Sequence, residues 1–169
     1  MQFVKNVKDW IDPKWVEYLL THDGAPRPSA GGNPDSPEFR AATSAGYDLT
    51  KTYWYHYTFE NNTFPYNIDP PFETKLNYMF WFIKMLPGNF MPMHRDPHVT
   101  ESGKRNCTRY WIPLQDYEPG HIFVNGTSFL HSYKAGDMWA YTDANEIHGA
   151  CNIGFTPRLT LHFTTYENE

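Results

Sequence analysis

The residues with the clearest chemical potential are a histidine and an aspartate separated by one position, His94 and Asp96. On a β-strand, residues two apart point to the same face, so both side chains would project into one cavity. An imidazole and a carboxylate placed in this way can occupy adjacent positions on one metal ion. By itself the pair is a weak signal, because the chain contains eight histidines and chance matches are common.

Two residues further along the chain complete a possible site. His148 follows Asp96 by 52 residues, and Arg158 follows His148 by ten. In a jelly roll, the intervening strands can bring His148 back beside the first pair. Arg158 also opens a predicted strand with one polar and one apolar face, which favours a lined pocket over a dry core. The polar face carries Arg158, Thr160, His162 and Thr164, and the apolar face carries Leu159, Leu161 and Phe163.

Taken together, this pattern resembles the signature of the oxygenases that depend on iron(II) and 2-oxoglutarate. The resemblance rests on His94-x-Asp96, His148 and Arg158 and covers about residues 75–166, roughly half of the chain. The surrounding details look like the free-proline hydroxylases and the aspartyl/asparaginyl β-hydroxylases. Asp96 favours the proline-hydroxylase-like branch, because the β-hydroxylases have a glycine there instead of a metal ligand.

The resemblance implies a role for each residue. His94, Asp96 and His148 would hold iron(II) as the catalytic centre, leaving three coordination positions open. Arg158 would bind the far carboxylate of 2-oxoglutarate, since its planar fork suits that group. Arg109 lies in a segment that looks like the family's strand with a cosubstrate-contacting arginine. It could therefore assist at either carboxylate, or simply pair with an acid at the edge of the core.

The implied reaction is the hydroxylation of an unactivated carbon–hydrogen bond, coupled to the conversion of 2-oxoglutarate and molecular oxygen to succinate and carbon dioxide. A free amino acid such as proline and a residue within a peptide are the two substrate classes that the resemblance suggests. Two alternatives stay open. One is a metal-dependent cupin enzyme that does not use 2-oxoglutarate, which Arg158 disfavours. The other is a non-catalytic jelly-roll module that binds a small acid or a peptide.

The fold that could position these residues is an all-β core with minor helices. Strands are predicted at 53–59, 75–86, 107–114, 120–124, 127–133, 138–142 and 158–166, and Asn125-Gly126 predicts a two-residue hairpin turn. Short strands at this spacing indicate a cupin-like double-stranded β-helix, a jelly roll of about eight strands. Asp12-Pro13 begins a predicted outer helix, and residues 25–46 are predicted to form a long loop that could act as a lid.

Composition bounds the function further. With 169 residues, the chain is expected to form one domain, in which residues 1–74 support a jelly-roll core at 75–166. A net charge of −5 argues against a nucleic-acid partner. The sequence contains no apolar run long enough to predict a membrane span. Two cysteines and opening residues without the apolar core of a secretory signal lead us to expect a cytoplasmic protein.

Several other residues have both a functional and a structural interpretation. His98 could contact substrate, although a solvated loop histidine is the more usual role, and His162 faces the predicted pocket. The aromatic run 53–57 could line a substrate pocket or simply form an aromatic strand. Cys107 and Cys151 are predicted to be buried thiols without a catalytic role.

Overall fold

The computed structural model describes residues 1–29, 37–95, 104–142 and 146–168. Helix α1 spans Pro13–Thr21, helix α2 spans Pro37–Ser44, and one turn of 3-10 helix covers Lys8–Trp10. The strands are β1 Gln2–Asn6, β2 Ala25–Pro28, β3 Tyr53–Tyr57, β4 Asn77–Met85, β5 Phe90–His94, β6 Lys104–Pro113, β7 His121–Asn125, β8 Ser128–Leu130, β9 Asp137–Tyr141, β10 His148–Asn152 and β11 Arg158–Asn168.

The strand order defines the fold. A seven-stranded sheet has the order β1-β9-β6-β11-β4-β3-β2, and a four-stranded sheet has the order β5-β10-β7-β8. The described strand pairs are antiparallel. From β4 to β11 the chain passes back and forth between the two sheets, with β7 and β8 forming a hairpin in the smaller one. This path is a double-stranded β-helix, so the predicted jelly-roll fold is confirmed.

Helix α1 begins where the sequence predicts. The carboxylate of Asp12 accepts a hydrogen bond from the backbone N–H of Lys14 at 2.9 Å, and a proline fills the first helical position, where no donor is needed. The helix packs Trp15 and Leu19 onto the apolar cluster that covers the large sheet. Both the predicted helix and its position outside the roll are therefore confirmed.

The main apolar cluster lies on the outer face of the large sheet. Leu161 and Phe163 of β11 are fully buried there, beside Phe82 of β4. Aromatic rings dominate the packing, for example Phe64 against Phe82 at 4.4 Å between ring centroids. The other buried members of this cluster are Val7, Leu19, Tyr57, Ile68, Phe80, Ile112, Leu114, Met138 and Leu159. The core of the molecule is thus largely outside the roll, between its large sheet and α1.

The prediction of one long loop over residues 25–46 was wrong. Within this range the structure has β2, which pairs with β3, and the helix α2. Pro26 and Pro28 are tolerated in β2 because it is an edge strand of the large sheet, where a missing N–H leaves no pairing partner unsatisfied. Residues 30–36, which also fall in the predicted loop, lie outside the described residues.

Smaller differences concern strand ends and turns. The predicted hairpin is present, but its two-residue loop is Gly126-Thr127, because Asn125 is still paired with Ser128. Gly126 has a φ of 57°, a conformation that glycine adopts without steric cost. Strands β1, β5 and β10 are absent from the predicted strand ranges. Within the described ranges, no helix is long and apolar enough to cross a bilayer.

Candidate metal and anion site

Two of the predicted ligand residues face each other across the small sheet. His94 ends β5 and His148 begins β10, and the two residues are Cα partners in the antiparallel pair. Their ring centroids are 4.4 Å apart. A register shift makes this pairing possible: β5 advances three residues from Met91 to His94 while β10 advances two between the partners Ala150 and His148. The extra residue in β5 is a β-bulge, and it sets which residue lies opposite His148.

Both histidines are oriented by the backbone. The Nδ1 of His94 is 2.8 Å from the carbonyl oxygen of Pro92, and the Nδ1 of His148 is 3.0 Å from that of Glu146. A carbonyl oxygen can only accept, so each Nδ1 carries the proton in the neutral ring. The lone pair is then on Nε2, the atom that a metal-binding histidine uses when its other nitrogen donates in this way. Neutral imidazoles of this tautomer suit a divalent metal.

Arg158 is buried at the start of β11 and is only 2% exposed. Its guanidinium carbon lies 5.6 Å from the ring centroid of Trp111 and 6.0 Å from that of Phe123. Its Nε and Nη2 atoms are buried without a hydrogen-bond partner. Burial lowers the pKa of Arg158, and the nearby Tyr133 hydroxyl opposes this shift. Two buried cationic N–H donors without an acceptor are costly unless an anion completes them.

These residues line one cavity of about 780 Å³ between the two sheets. Arg109 and His162 contribute to the same wall, and the Arg109 guanidinium lies 5.9 Å from the ring of Trp81. Trp81 also lines the cavity, and the remaining lining residues are Arg27, Trp54, His56, Thr58, Glu60, Met79, Phe80, Ile83, Met85, Met91, Phe123, Tyr141, Ala150 and Thr164. The predicted pocket on the polar face of β11 is therefore present.

The inner wall also holds neutral histidines. His162 stacks on Trp81 with ring centroids 5.4 Å apart, and His56 lies on the other side of Trp81 at 6.3 Å. Burial lowers the pKa of His162 well below its ordinary value, and Arg158 and Arg109 add to the effect. Burial also lowers the pKa of His56 to about 4, with a smaller contribution from Arg27. Both rings are uncharged at pH 7.

The structure thus brings together His94, His148, Arg158 and Arg109 of the predicted site. Asp96, the third predicted ligand, and His98 lie outside the described residues. Within the described ranges, no group of three or more histidine, cysteine, aspartate or glutamate residues could hold a metal ion. The two described imidazoles and the buried guanidinium nevertheless have the donor types that a divalent metal and an anion require.

Sequence reasoning missed several residues in the cavity wall or beside Arg158. Tyr133 is buried beside Arg158, and Arg27 and Trp81 line the cavity from strands that carry no recognisable motif. Only the inward alternation of β4 around Trp81 could have indicated one of them in advance. Of the aromatic run 53–57, Trp54 and His56 line the cavity, while Tyr55 and Tyr57 belong to the outer cluster. Cys107 is buried and Cys151 is half-buried.

Comparison with known proteins gives limited similarity. No protein-family model and no curated protein sequence matches the chain. Among solved structures, a predicted oxalate decarboxylase from Thermotoga maritima is 22% identical over 52% of this chain, with a TM-score of 0.39. That alignment covers 65% of the Thermotoga protein, which is just under two thirds of its length.

Two further structures are described as cupin domains. The cupin domain of Schizosaccharomyces pombe Cnp3 is 9% identical, covers 68% of this chain and 65% of its own, and has a TM-score of 0.43. The cupin domain of an XRE-family transcriptional regulator from Enterobacter cloacae is 9% identical, covers 68% of this chain and 98% of its own, and has a TM-score of 0.45. The fold assignment itself rests on the strand order described above.

Proposed function

We propose that this protein is an iron(II)- and 2-oxoglutarate-dependent oxygenase that hydroxylates a small amino-acid-like or peptidyl substrate. One observation carries the proposal: two histidines oriented across paired strands share a cavity with a buried arginine that lacks acceptors for two of its donors. A metal and a dicarboxylate together would use both features. The sequence pattern around Asp96 and Arg158 leads to the same activity.

In this proposal His94 and His148 bind the metal through Nε2, and Asp96 supplies the third ligand. The carbonyl oxygens of Pro92 and Glu146 fix the ring orientations through Nδ1, and in the neutral ring the lone pair is then on Nε2. Two imidazoles and one carboxylate form the donor set of non-haem iron(II) oxygenases. When bound, the iron would supply the activation of molecular oxygen, which none of the twenty side chains can provide.

Arg158 is proposed to hold the far carboxylate of 2-oxoglutarate. Its Nε and Nη2 point along one edge of the guanidinium fork, the geometry that matches the two oxygens of a carboxylate. Trp111 and Phe123 exclude water from this end of the cavity, which strengthens such a pair relative to one in solvent. Arg109 is proposed as an additional cosubstrate contact from the neighbouring strand β6, where it is the partner of Thr164.

Titration calorimetry without oxygen tests the proposal. The protein is loaded with Mn(II), which occupies the site without turnover, and titrated with 2-oxoglutarate. We expect binding to the wild type, a loss of roughly 100-fold in Arg158→Ala and a smaller loss in Arg158→Lys, which keeps the charge but not the fork. Arg40→Ala, on the exposed surface of α2, is the matched control. Metal affinity should survive in all three variants and be lost in His148→Ala.

The outcomes separate the proposal from its main alternative. If the wild type binds Mn(II) but not 2-oxoglutarate, the chain is a metal cupin with another reaction. If Arg158→Ala binds 2-oxoglutarate as tightly as the wild type, the arginine has a different role. Release of succinate by the iron-loaded protein, measured with candidate amino acids and peptides, then tests catalysis directly.

A further inference from the structure

The N-terminal strand pair β2 and β3 closes one side of the cavity. These strands extend the large sheet beyond β4 and are additional to the eight strands of the roll. Hydrogen bonds connect this part of the chain to β5, the strand that carries His94, and to the residue just before it. The Ser29 hydroxyl donates to the carbonyl oxygen of Phe90 at 2.7 Å, and the Tyr53 N–H donates to the Asn89 side chain at 3.0 Å. Residues on the inner face of this pair therefore border the site.

Arg27 and His56 share that inner face. Arg27 is the cross-strand partner of Trp54, and His56 lies two residues further along β3. Diagonal neighbours of this kind in an antiparallel pair have Cα atoms about 7–8 Å apart, so both side chains can reach one ligand group. Both residues line the cavity; the Arg27 side chain is exposed to solvent and His56 is half-buried.

The positive charge of Arg27, at the edge of the cavity, is not balanced by a nearby carboxylate of the described residues. Among the described residues, no carboxylate forms an ion pair with Arg27, and the single carboxylate lining the cavity belongs to the exposed Glu60. The buried Nδ1 of His56 has no hydrogen-bond partner. Since burial and Arg27 keep this ring neutral at pH 7, its N–H can be donated to an anion without adding a second charge.

Arg27 and His56 are also distant from Arg158. Strand β2 is three strands away from β11 in the order β11-β4-β3-β2, a lateral distance of about 14 Å at the usual strand spacing. A small dicarboxylate bound at Arg158 therefore leaves Arg27 without a partner. Strands β3 and β4 lie between the two and contribute Trp54 and Ile83 to the cavity wall, and Met91 of β5 lines the same cavity.

We propose that Arg27 and His56 form a second anion subsite, which binds a carboxylate of the hydroxylated substrate while its apolar body lies along Trp54, Ile83 and Met91. This inference rests on the proposed function, because it assigns Arg158 to the cosubstrate. One arginine and one neutral imidazole N–H supply a single positive charge and a bidentate fork, which suits a monoanionic carboxylate. The substrate is thus an acid with an apolar body.

Calorimetry on the full chain loaded with Mn(II) and saturated with 2-oxoglutarate tests the subsite. The probes are cyclohexanecarboxylate, 3-phenylpropionate and indole-3-acetate, each paired with its neutral primary amide. We expect at least one acid to bind about tenfold or more tightly than its amide, as a charge-assisted hydrogen bond would provide. Arg27→Gln should abolish this preference, Arg27→Lys should keep part of it, and Arg40→Gln should leave it unchanged. Thermal melts confirm that the variants are folded.

Two results would overturn the subsite: acids and amides that bind equally or not at all to the wild type, or a preference that persists in Arg27→Gln. Failure of the proposed function is a different result, because it appears as absent binding of 2-oxoglutarate in the first titration. An acid preference that depends on Arg27 without any 2-oxoglutarate binding would support the subsite and reject the oxygenase.

Discussion

The two faces of β11 differ in the packing and hydrogen bonding of their buried side chains. On the outer face, Leu159, Leu161 and Phe163 are buried in the main apolar cluster under α1. On the inner face, Arg158 and Thr164 are equally buried, but each has polar atoms without a hydrogen-bond partner. The same strand therefore contributes apolar packing with one face and holds buried polar atoms without hydrogen-bond partners on the other.

Lys84 shows that this difference is not one of polarity alone. It is buried on the outer side of β4, yet its ammonium donates to the carbonyl oxygen of His22 at 2.7 Å and to the Asp23 carboxylate at 2.9 Å. It also lies 5.1 Å from the ring centroid of Tyr55. The buried cation on the outer face thus has its hydrogen bonds satisfied by other groups of the protein, whereas Nε and Nη2 of Arg158 on the inner face have no hydrogen-bond partner.

The largest expected effect is on the outer face. Phe163→Ala removes a fully buried ring that packs against Trp10, Tyr78 and Phe80. We expect the free energy of unfolding to fall by about 3–5 kcal/mol, as for other buried phenylalanines. Urea denaturation followed by tryptophan fluorescence measures it. Phe155→Ala, at a side chain that is 98% exposed, is the control. A loss below about 1 kcal/mol would show that the outer cluster is not the main source of stability.

A substitution on the inner face should have the opposite sign. Arg158→Met replaces a buried cation, which has two donors without acceptors, by an apolar side chain of similar length. We expect the ligand-free protein to gain about 1–3 kcal/mol in unfolding free energy and to lose 2-oxoglutarate binding. The same denaturation experiment and the calorimetric titration measure the two effects. A destabilised Arg158→Met would mean that the guanidinium stabilises the fold itself, and the contrast between faces would fail.

The inner histidines should make stability depend on pH. His56, with a folded-state pKa of about 4, stays neutral where the unfolded chain, with an ordinary value near 6.5, binds a proton. Its contribution is fully present above pH 6.5 and is lost as the pH falls toward 4, by at most about 1.4 kcal/mol per pH unit. The unfolding free energy of the metal-free protein, measured at several pH values between 7.5 and 4.5, should therefore change less with pH in His56→Gln than in the wild type. His131→Gln, at an exposed histidine, should match the wild type.

The smallest expected effect concerns helix α1, which packs on the outer face of the large sheet. Asp12→Ala removes the N-cap hydrogen bond to Lys14 and should cost about 1 kcal/mol of unfolding free energy. Asp9→Ala changes an exposed carboxylate just before the helix and should be neutral within about 0.5 kcal/mol. Equal effects of the two substitutions in thermal melts would show that α1 does not depend on its cap.

The sequence predicted those parts of the molecule whose signals are local. Alternation along β11 separated its two faces, and Asp12-Pro13 located α1, because each of these depends on residues that are neighbours in the chain. The spacing of His94 and His148 was informative only because a jelly roll pairs the strands that carry them. The metal role of these residues and Asp96 stays a prediction, as does the cosubstrate role of Arg158 and Arg109.

Other parts could not be predicted for physical reasons. Strand β2 contains two prolines, and only its position at a sheet edge makes it a strand. Arg27 and Trp81 enter the cavity wall through the pairing of β2, β3 and β4, which are distant in sequence. Tyr133 lies in a segment expected to be strand, but β8 ends at Leu130, and Ser132 has a φ of 61°. Each of these features is set by tertiary pairing rather than by local propensity.

The β-bulge in β5 decides which residue of this strand lies opposite His148. β5 has one more residue than β10 between the pairs Met91–Ala150 and His94–His148. If the same sequence paired regularly, without the bulge, Met93 would lie opposite His148, and His94 would move by one position and turn to the opposite side of the sheet. Deletion of position 92 or 93 would instead leave two residue steps in each strand, so that His94 stays opposite His148 in a regular pair. A form of the protein that is one residue shorter between positions 91 and 94 should therefore keep the two histidines together, whereas an insertion there should separate them.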